Sequence, residues 1–469
     1  MISTDLSELV ATQRAFFLTG KTKDTKFRKE QLACLKNILL KYQNEILEAL
    51  AKDLQKSTAE AYITEFSLVI KEIDFLRRRL TWWAQPKFRI TPLHSFPGIS
   101  KTLSQPYGCA LVITPWNFPF QIPLMALAAA LSAGNCVILK PSHHAQESER
   151  LLKTIIQEAF SSEQVAIVTG GNEIHHSLLT QKYDFIFYTG GATAGKKVME
   201  AAARNLTPVC LELGGKNPCI VDATADIDSA AKRIIWGKLI NSGQNCIAPD
   251  YVLVDSSKHK ELMEKMCFCM EEFYGDNPVA PDSTLSSIVN ERHFFRLLNL
   301  ANGNNPANGV VTTNNPTGAS YNREALKIKP ILLDSPEGDA PVMQDEIFGP
   351  ILPILPYNTI EEALSYIQEK PEPLALYLFS TDKNTKKLVT ETLPYGGGCI
   401  NDTLLHGASS QLPFGGSGHS GMGNYHGKAG FDTFSYQKAI LSRPAKFDIS
   451  LRYPPYKEGK LKFIKLFLK

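Results

Sequence analysis

Between residues 109 and 205, short apolar runs alternate with stretches of helical periodicity, and this alternation limits the chain to few architectures. The runs Cys109–Ile113, 135–139, 164–168 and 184–188 have strand length. The stretches 123–133 and 147–160 between them repeat their apolar residues at helical spacing. Strand, helix, strand repetition predicts a parallel sheet with helices on both faces, because each crossover must return the chain to the same end of the sheet.

A second alternating series begins after Gly214 and Gly215, with Pro218–Val221, a helix over 226–241, a strand over 251–254 and a helix over 258–273. A second α/β domain is therefore expected. The 469 residues, 43% of them hydrophobic, supply enough apolar surface for two or three domains with a cleft between them. Ahead of both series, Leu32, Leu35, Leu39, Tyr42, Ile46 and Leu50 mark a long amphipathic helical region over 25–54, which needs a partner to cover it. The stretch 301–320 is rich in Asn, Gly, Thr and Pro and is read as a surface loop. No internal repeat or low-complexity tract interrupts the pattern.

Charge and composition remove several classes of function. Fifty basic against 47 acidic side chains leave a net charge of +3, too small for a general polyanion-binding surface, so nucleic acid is not expected as a partner. No window approaches the ~20 apolar residues of a membrane-spanning helix, and the first residues carry acids rather than a basic start and apolar run, so a cytoplasmic location is expected. Nine cysteines without regular spacing do not form a disulfide framework, Cys267 and Cys269 lack the partner pair of a zinc site, and no metal is expected.

Five places along this pattern carry residues suited to chemistry. Tyr188-Thr189-Gly190-Gly191-Ala192-Thr193-Ala194-Gly195 follows a strand and opens a helix, where backbone amides receive phosphate; a tight turn would want glycine too. Lys140, in Lys140-Pro141-Ser142-His143, lies at the carboxyl edge of the expected sheet, where it would meet ribose or phosphate or simply face water. Cys246 lies in the glycine-containing loop Ser242-Gly243-Gln244-Asn245-Cys246-Ile247-Ala248-Pro249, as a reactive thiol should, although most cysteines are buried small hydrophobes. Glu212 stands in an apolar strand before two glycines, where burial would raise its pKa towards that of a neutral-pH base; on an edge strand it would face water instead. Asn117, among aromatics and prolines, offers an amide donor for a developing oxyanion.

Taken together and in this order, the segments resemble the aldehyde dehydrogenase family over nearly the whole chain. The segments are Pro115-Trp116-Asn117-Phe118-Pro119, Leu211-Glu212-Leu213-Gly214-Gly215-Lys216, Gly243-Gln244-Asn245-Cys246-Ile247-Ala248-Pro249-Asp250, Glu346-Ile347-Phe348-Gly349-Pro350 and Pro413-Phe414-Gly415-Gly416-Ser417-Gly418. Gly421-Met422-Gly423-Asn424-Tyr425-His426-Gly427-Lys428 and Phe431-Asp432-Thr433-Phe434 are closest to the class 3 and fatty aldehyde dehydrogenase branch. The resemblance implies an α/β fold with a Rossmann-type cofactor domain (1–82 and 106–209) and an α/β catalytic domain (210–405). A small bridging β element with a C-terminal tail (83–105 and 406–469) completes it.

The same resemblance implies NAD(P)-dependent oxidation of a medium or long aliphatic, or aromatic, aldehyde to the acid. Cys246 would be the nucleophile, Asn117 and the Cys246 amide the oxyanion hole, and Glu212 the base, with Glu346 sharing that role or contacting the nicotinamide ribose. Thr114, Pro115, Trp116, Lys140, Ser142, His143, Thr189, Gly190, Gly195, Leu213, Gly214, Glu346 and Phe348 would hold NAD or NADP. A homodimer is implied as well.

Two departures bear on these expectations. Members favouring NAD commonly carry Glu where this chain has His143, so NADP should be accepted at least comparably with NAD. Ala194 stands where relatives usually carry a bulkier residue. In the tail, 456–469, Leu461, Phe463, Ile464, Leu466 and Phe467 interleave with Lys460, Lys462, Lys465 and Lys469, which fits packing on protein or a weak peripheral membrane contact. Two other functions remain open: transfer of the acyl group to CoA, which the presence of Glu212 disfavours, and a cofactor-binding scaffold without turnover.

Overall fold

A computed structural model describes residues 3–302, 310–311, 321–446, 448, 452–456 and 458–467. The first alternating series forms a six-stranded sheet in the order Gly421–Met422, Val209–Glu212, Phe185–Thr189, Cys109–Ile113, Cys136–Lys140, Val165–Ile167. All pairings are parallel except that of Gly421–Met422 with Val209–Glu212. From Cys109–Ile113 the chain winds outward through Cys136–Lys140, then returns to lay Phe185–Thr189 on the opposite side. The strand order reverses there, and the carboxyl ends at that switch point deliver Thr114-Pro115-Trp116 and Thr189-Gly190 to one crevice.

The second series forms a seven-stranded sheet, ordered Val310–Val311, Ile331–Asp334, Ile351–Tyr357, Tyr251–Asp255, Pro218–Val221, Ala375–Phe379, Gly397–Ile400. Only Val310–Val311 is antiparallel. The segments carrying Gly214, Cys246 and Glu346 all precede strands of this sheet, so they gather at its amino edge. Asn217 ties that edge together: its Nδ2 donates to the Cys246 and Ala248 carbonyls at 2.8 and 3.0 Å, and its Oδ1 accepts from Ala375 N at 2.8 Å.

Helix Gln121–Ala133, buried from Ile122 to Ala133, has an apolar surface all round because protein covers it on every side. It packs between the first sheet and the amino-terminal helices Thr25–Lys41 and Ser67–Ala84. The expected helical region 25–54 is divided at Tyr42 into Thr25–Lys41 and Gln43–Leu54. Tyr42 leaves helical geometry at φ −98°, ψ 17°, a break that its residue type does not signal. Within 301–320, read as loop, Glu291–Asn302 extends a helix into the stretch and Val310–Val311 is a strand; 303–309 and 312–320 lie outside the described residues.

A three-stranded antiparallel sheet, Lys87–Arg89, Ile99–Pro106 and Ser435–Ser442, stands apart from both large sheets. Phe88, Ile90, Leu93 and Phe96 are exposed on and beside it. A helix, Glu458–Phe467, occupies the tail; the Leu466 and Phe467 side chains and all of Lys469 lie outside the described residues. Among the described residues no helix is long and apolar enough to cross a membrane.

Candidate active site

Cys246 follows a turn in which Asn241, Ser242 and Gly243 all adopt left-handed conformations, with φ of 52°, 52° and 75°. Such geometry in non-glycine residues persists only where neighbours over-determine it. Here Asn241 Nδ2 donates to the carbonyls of Asn117 (2.8 Å) and Gln244 (3.1 Å), and Gln244 Nε2 donates to the carbonyls of Asn241 (3.1 Å) and Ser287 (2.9 Å). Ser242 Oγ donates to the Ser286 carbonyl. Gly243 is required twice over, by its φ and because a Cβ would lie 2.3 Å from the Gly349 carbonyl oxygen.

Cys246 lines two cavities. One is a cleft lined by Pro115, Trp116, Asn117, Thr189, Gly190, Glu212, Leu213, Gly214, Glu346 and Phe348, together with His293 and Arg296. The other is an apolar chamber lined by Ile63, Phe118, Ile122, Trp236, Ile240, Ile247, Leu404, Leu405 and Phe414, among others. Thr189 also borders both.

Asn117 is buried, and its Nδ2 donates to the Gln244 carbonyl at 3.1 Å, pointing the amide at the cysteine loop. Glu212 is buried at the end of Val209–Glu212, with Oε1 accepting a long bond from Cys210 Sγ (3.5 Å) and Oε2 without a protein partner. Burial pushes its pKa well above the ordinary carboxylate range. Glu346 packs so tightly on Gly214 that a Cβ there would lie 2.1 Å from Oε2, which explains the glycine. Burial, then the neighbouring Asp250, raises Glu346 to about 8, against the Gly215 amide, Lys238 and Arg296.

The Cys246 thiol is also pushed up, first by burial and then by Glu346 and Glu212, while the Cys246 and Ile247 amides act the other way by donating towards the sulfur. Thiol and carboxylates therefore compete for charge in one place: protonating either carboxylate eases ionisation of the sulfur.

Of the other residues singled out from sequence, Thr114 is held by its N–H to the Lys140 carbonyl (3.1 Å), at the edge that carries Lys140, Ser142 and His143. Lys140 is buried with its Nζ donating to the Pro141 carbonyl at 2.6 Å, and burial lowers its pKa. The His143 and His144 rings lie tilted against each other with centroids 4.2 Å apart. Gly195 is buried in helix Ala192–Ala203, where a Cβ would meet Leu213 at 2.7 Å, so this glycine serves helix packing on the cleft wall.

These groups fit a dinucleotide. The Thr114 and Thr189 hydroxyls, Glu212 Oε2 and Glu346 Oε1 are buried and have no hydrogen-bond partner among the described residues. Helix Ala192–Ala203 begins at Gly191, above which a Cβ would meet nothing within 4 Å, leaving its first amides open to a phosphate. Sequence reasoning missed His293 and Arg296. Both lie on a helix, Glu291–Asn302, that carries no motif, and Trp116 packing against the His293 and Phe348 rings at 5.5 Å brings that helix to the cleft.

The family model described as "Aldehyde dehydrogenase family" matches residues 3–440. The 4,4'-diaponeurosporen-aldehyde dehydrogenase of Staphylococcus aureus is 44% identical over 97% of this chain and 97% of its own. The dimeric NADP-preferring aldehyde dehydrogenase of Canis lupus familiaris is 40% identical over 96% of this chain and 98% of its own. The solved substrate-bound state of Staphylococcus aureus AldH superposes with a TM-score of 0.94 at 43% identity, covering 98% of this chain and 99% of that one.

Proposed function

The chain belongs to the aldehyde dehydrogenase family, an NAD(P)-dependent oxidoreductase by that membership, and on this premise we propose that Cys246, Asn117 and Glu212 carry its chemistry. The observation that supports these roles above all is the placing of Cys246 where an apolar chamber meets a cleft holding two raised carboxylates.

In this reading the Cys246 thiol gives up its proton to water. The thiolate adds to the aldehyde carbon, and the carbonyl oxygen becomes an oxyanion held by Asn117 Nδ2 and the Cys246 amide, each such donor typically worth about 3 kcal/mol. A bound NAD or NADP supplies the acceptor for the hydride that leaves the carbon as the thioester forms. Glu212 then takes a proton from water as that water attacks the thioester; the C–S bond breaks, the carboxylic acid leaves and the sulfur is restored. Glu346, against Gly214 in the cleft, is assigned to the nicotinamide ribose. Glu212 in the same cleft also favours water over CoA as acyl acceptor.

The apolar chamber is assigned to the aldehyde's hydrocarbon part, which favours medium or long aliphatic and aromatic substrates. Lys140, Ser142, His143 and the Gly190 turn are assigned to the adenosine and phosphate half, and with His143 in place of a carboxylate NADP is used at least as well as NAD. We divide the chain at 1–82 with 106–209, 210–405, and 83–105 with 406–469, a division the sheets support except where Val209–Glu212 and Gly421–Met422 of the first sheet cross these bounds. The exposed apolar residues of the three-stranded sheet support a homodimer, which solution mass measurement checks. The lysine-rich tail helix supports a weak peripheral membrane contact, which flotation with anionic vesicles checks, and a cytoplasmic location is to be checked by fractionation.

The test follows reduced nicotinamide by absorbance with a medium-chain aldehyde, with NAD and NADP separately, on wild type and Cys246→Ser. A loss of about a thousandfold or more in the variant is expected, roughly 4 kcal/mol of transition-state stabilisation. A wild type inert with short, long and aromatic aldehydes would overturn the catalytic reading. A hundredfold preference for NAD, about 2.7 kcal/mol, would overturn the assignment of His143 alone.

A further inference from the structure

Two buried charges outside the reacting groups are joined to the oxyanion donor by the backbone. Glu65 lies in a π-helical turn, Tyr62–Phe66, a distortion that recurs at functional sites. Its Oε1 accepts from Lys56 Nζ at 2.6 Å, and both side chains are 0% exposed. Its Oε2 accepts from the amides of Phe120 (2.9 Å) and Gln121 (3.2 Å), at the start of helix Gln121–Ala133. Lys56 Nζ donates in turn to the Asn117 carbonyl at 3.1 Å and lies 4.3 Å from the Phe118 ring centroid. The loop carrying Asn117 is thus held at its carbonyl by a cation and just beyond by the paired anion.

A buried ion pair is a poor way to stabilise a fold, since an apolar pair of similar volume often does as well. It is a good way to fix a backbone segment, because each charge accepts or donates several bonds in set directions. Among the described residues, the side-chain hydrogen bonds that the pair makes outside itself go to residues 117–121, the segment that aims Asn117 Nδ2 across at the Gln244 carbonyl beside Cys246. The turn that carries Glu65 also presents Ile63 and Thr64 to the apolar chamber, so one element shapes the aldehyde's seat and anchors the amide that meets its oxygen.

We infer that Lys56 and Glu65 are positioning residues for Asn117: the pair sets where the oxyanion donor stands relative to the Cys246 sulfur. The inference rests on the role proposed above for Asn117. Small displacements of a catalytic group are costly, about a hundredfold for 1 Å, so loosening the loop should be felt in the step that forms the oxyanion.

The experiment is a double-mutant cycle on the full chain, read as the single-turnover rate of nicotinamide reduction at saturating NADP. One arm is Lys56→Met with Glu65→Gln, which removes both charges and leaves neither buried alone; the other is Asn117→Ala. Alone, the Lys56/Glu65 variant should slow acylation by about tenfold or more, and Asn117→Ala by about a hundredfold. In the Asn117→Ala background the Lys56/Glu65 change should cost less than about threefold, because its target is gone. Equal losses in both backgrounds would overturn the inference and leave the pair a general structural element. A rate unaffected by Asn117→Ala would overturn both this inference and the role of Asn117 on which it rests. Glu65→Gln alone, whose amide oxygen still accepts from Phe120 and Gln121, carries the same cycle with the same expected direction if the double change does not fold.

Discussion

The two cavities that meet at Cys246 differ in almost every wall. The aldehyde side is built from Phe118, Ile122, Trp236, Ile240, Leu404, Leu405 and Phe414, and offers few groups that water or a charge would seek. The cofactor side brings Glu212, Glu346, His293, Arg296, Thr189 and the half-buried Gly190 and Gly214 to the same cysteine. The cofactor cleft draws on both edges of the fold: the carboxyl ends of one parallel sheet supply Trp116 and Thr189, while the amino edge of the other supplies Cys246 and Glu346. The difference teaches how one cysteine can serve two unlike partners. Apolar walls hold an aldehyde by its hydrocarbon without competing for its oxygen, and the polar wall concentrates the proton acceptors where water must attack.

The largest break in that contrast is expected from Glu212→Gln. If the base stands on the polar side, hydrolysis of the thioester should fall by about a hundredfold or more while the first burst of reduced nicotinamide remains. The variant should also lose the rise of steady-state rate with pH, because only the ionised carboxylate accepts a proton and burial holds Glu212 largely protonated at lower pH. Glu346→Gln should instead weaken NADP binding and retain that rise. A reversed pattern, with the burst retained and the pH limb lost only in Glu346→Gln, would move the base to Glu346.

Much of this division is legible in the amino-acid sequence, and the part that is not has a common cause. The runs at 109–113 and 184–188 announce the parallel sheet because their strands are buried on both faces and bounded by breaks. The segments holding Asn117, Glu212, Cys246 and Glu346 read as one site through the family resemblance, and the structure brings them around one cleft. Strands Ile331–Asp334, Ile351–Tyr357, Ala375–Phe379 and Gly397–Ile400 escape a reading of the sequence, the second of them carrying Pro353 and Pro356 within the strand. Lys56, Glu65, His293 and Arg296 give no local sign at all. Their roles exist only through contacts such as that of Lys56 with Asn117, across 61 positions of chain, and neither periodicity nor motif reports such a contact.

A smaller effect should appear in stability. Glu346 is raised to about 8 in the folded protein, whereas an unfolded glutamate titrates near ~4.3, so the folded state holds the extra proton between those values. The stabilisation this brings is complete below the unfolded pKa and is lost as pH rises towards 8. Against Glu346→Gln, which cannot ionise, wild type should therefore lose about 2 kcal/mol between pH 5 and ~6.5, seen as a falling Tm difference in thermal melts. Parallel melting curves for the two proteins over that range would show that the carboxylate ionises as readily in the cleft as in water.

The smallest change sharpens the comparison from the apolar side. Leu405 lines the aldehyde chamber yet is 50% exposed, so it stands at the mouth, where a charge can be introduced without being trapped in the core. Leu405→Glu removes apolar surface worth about 1 to 2 kcal/mol to a chain lying over it and places a hydrated carboxylate in the path. A long aldehyde must pass that mouth, whereas a short one placed at the sulfur reaches no further than the inner walls. The variant should therefore raise KM for a ten-carbon aldehyde by roughly tenfold more than KM for a three-carbon one, with kcat little altered for either, the pattern of lost uniform binding. Equal rises for both chain lengths would place the hydrocarbon elsewhere and remove the apolar chamber from substrate selection, leaving the polar cleft as the only wall whose chemistry the reaction uses.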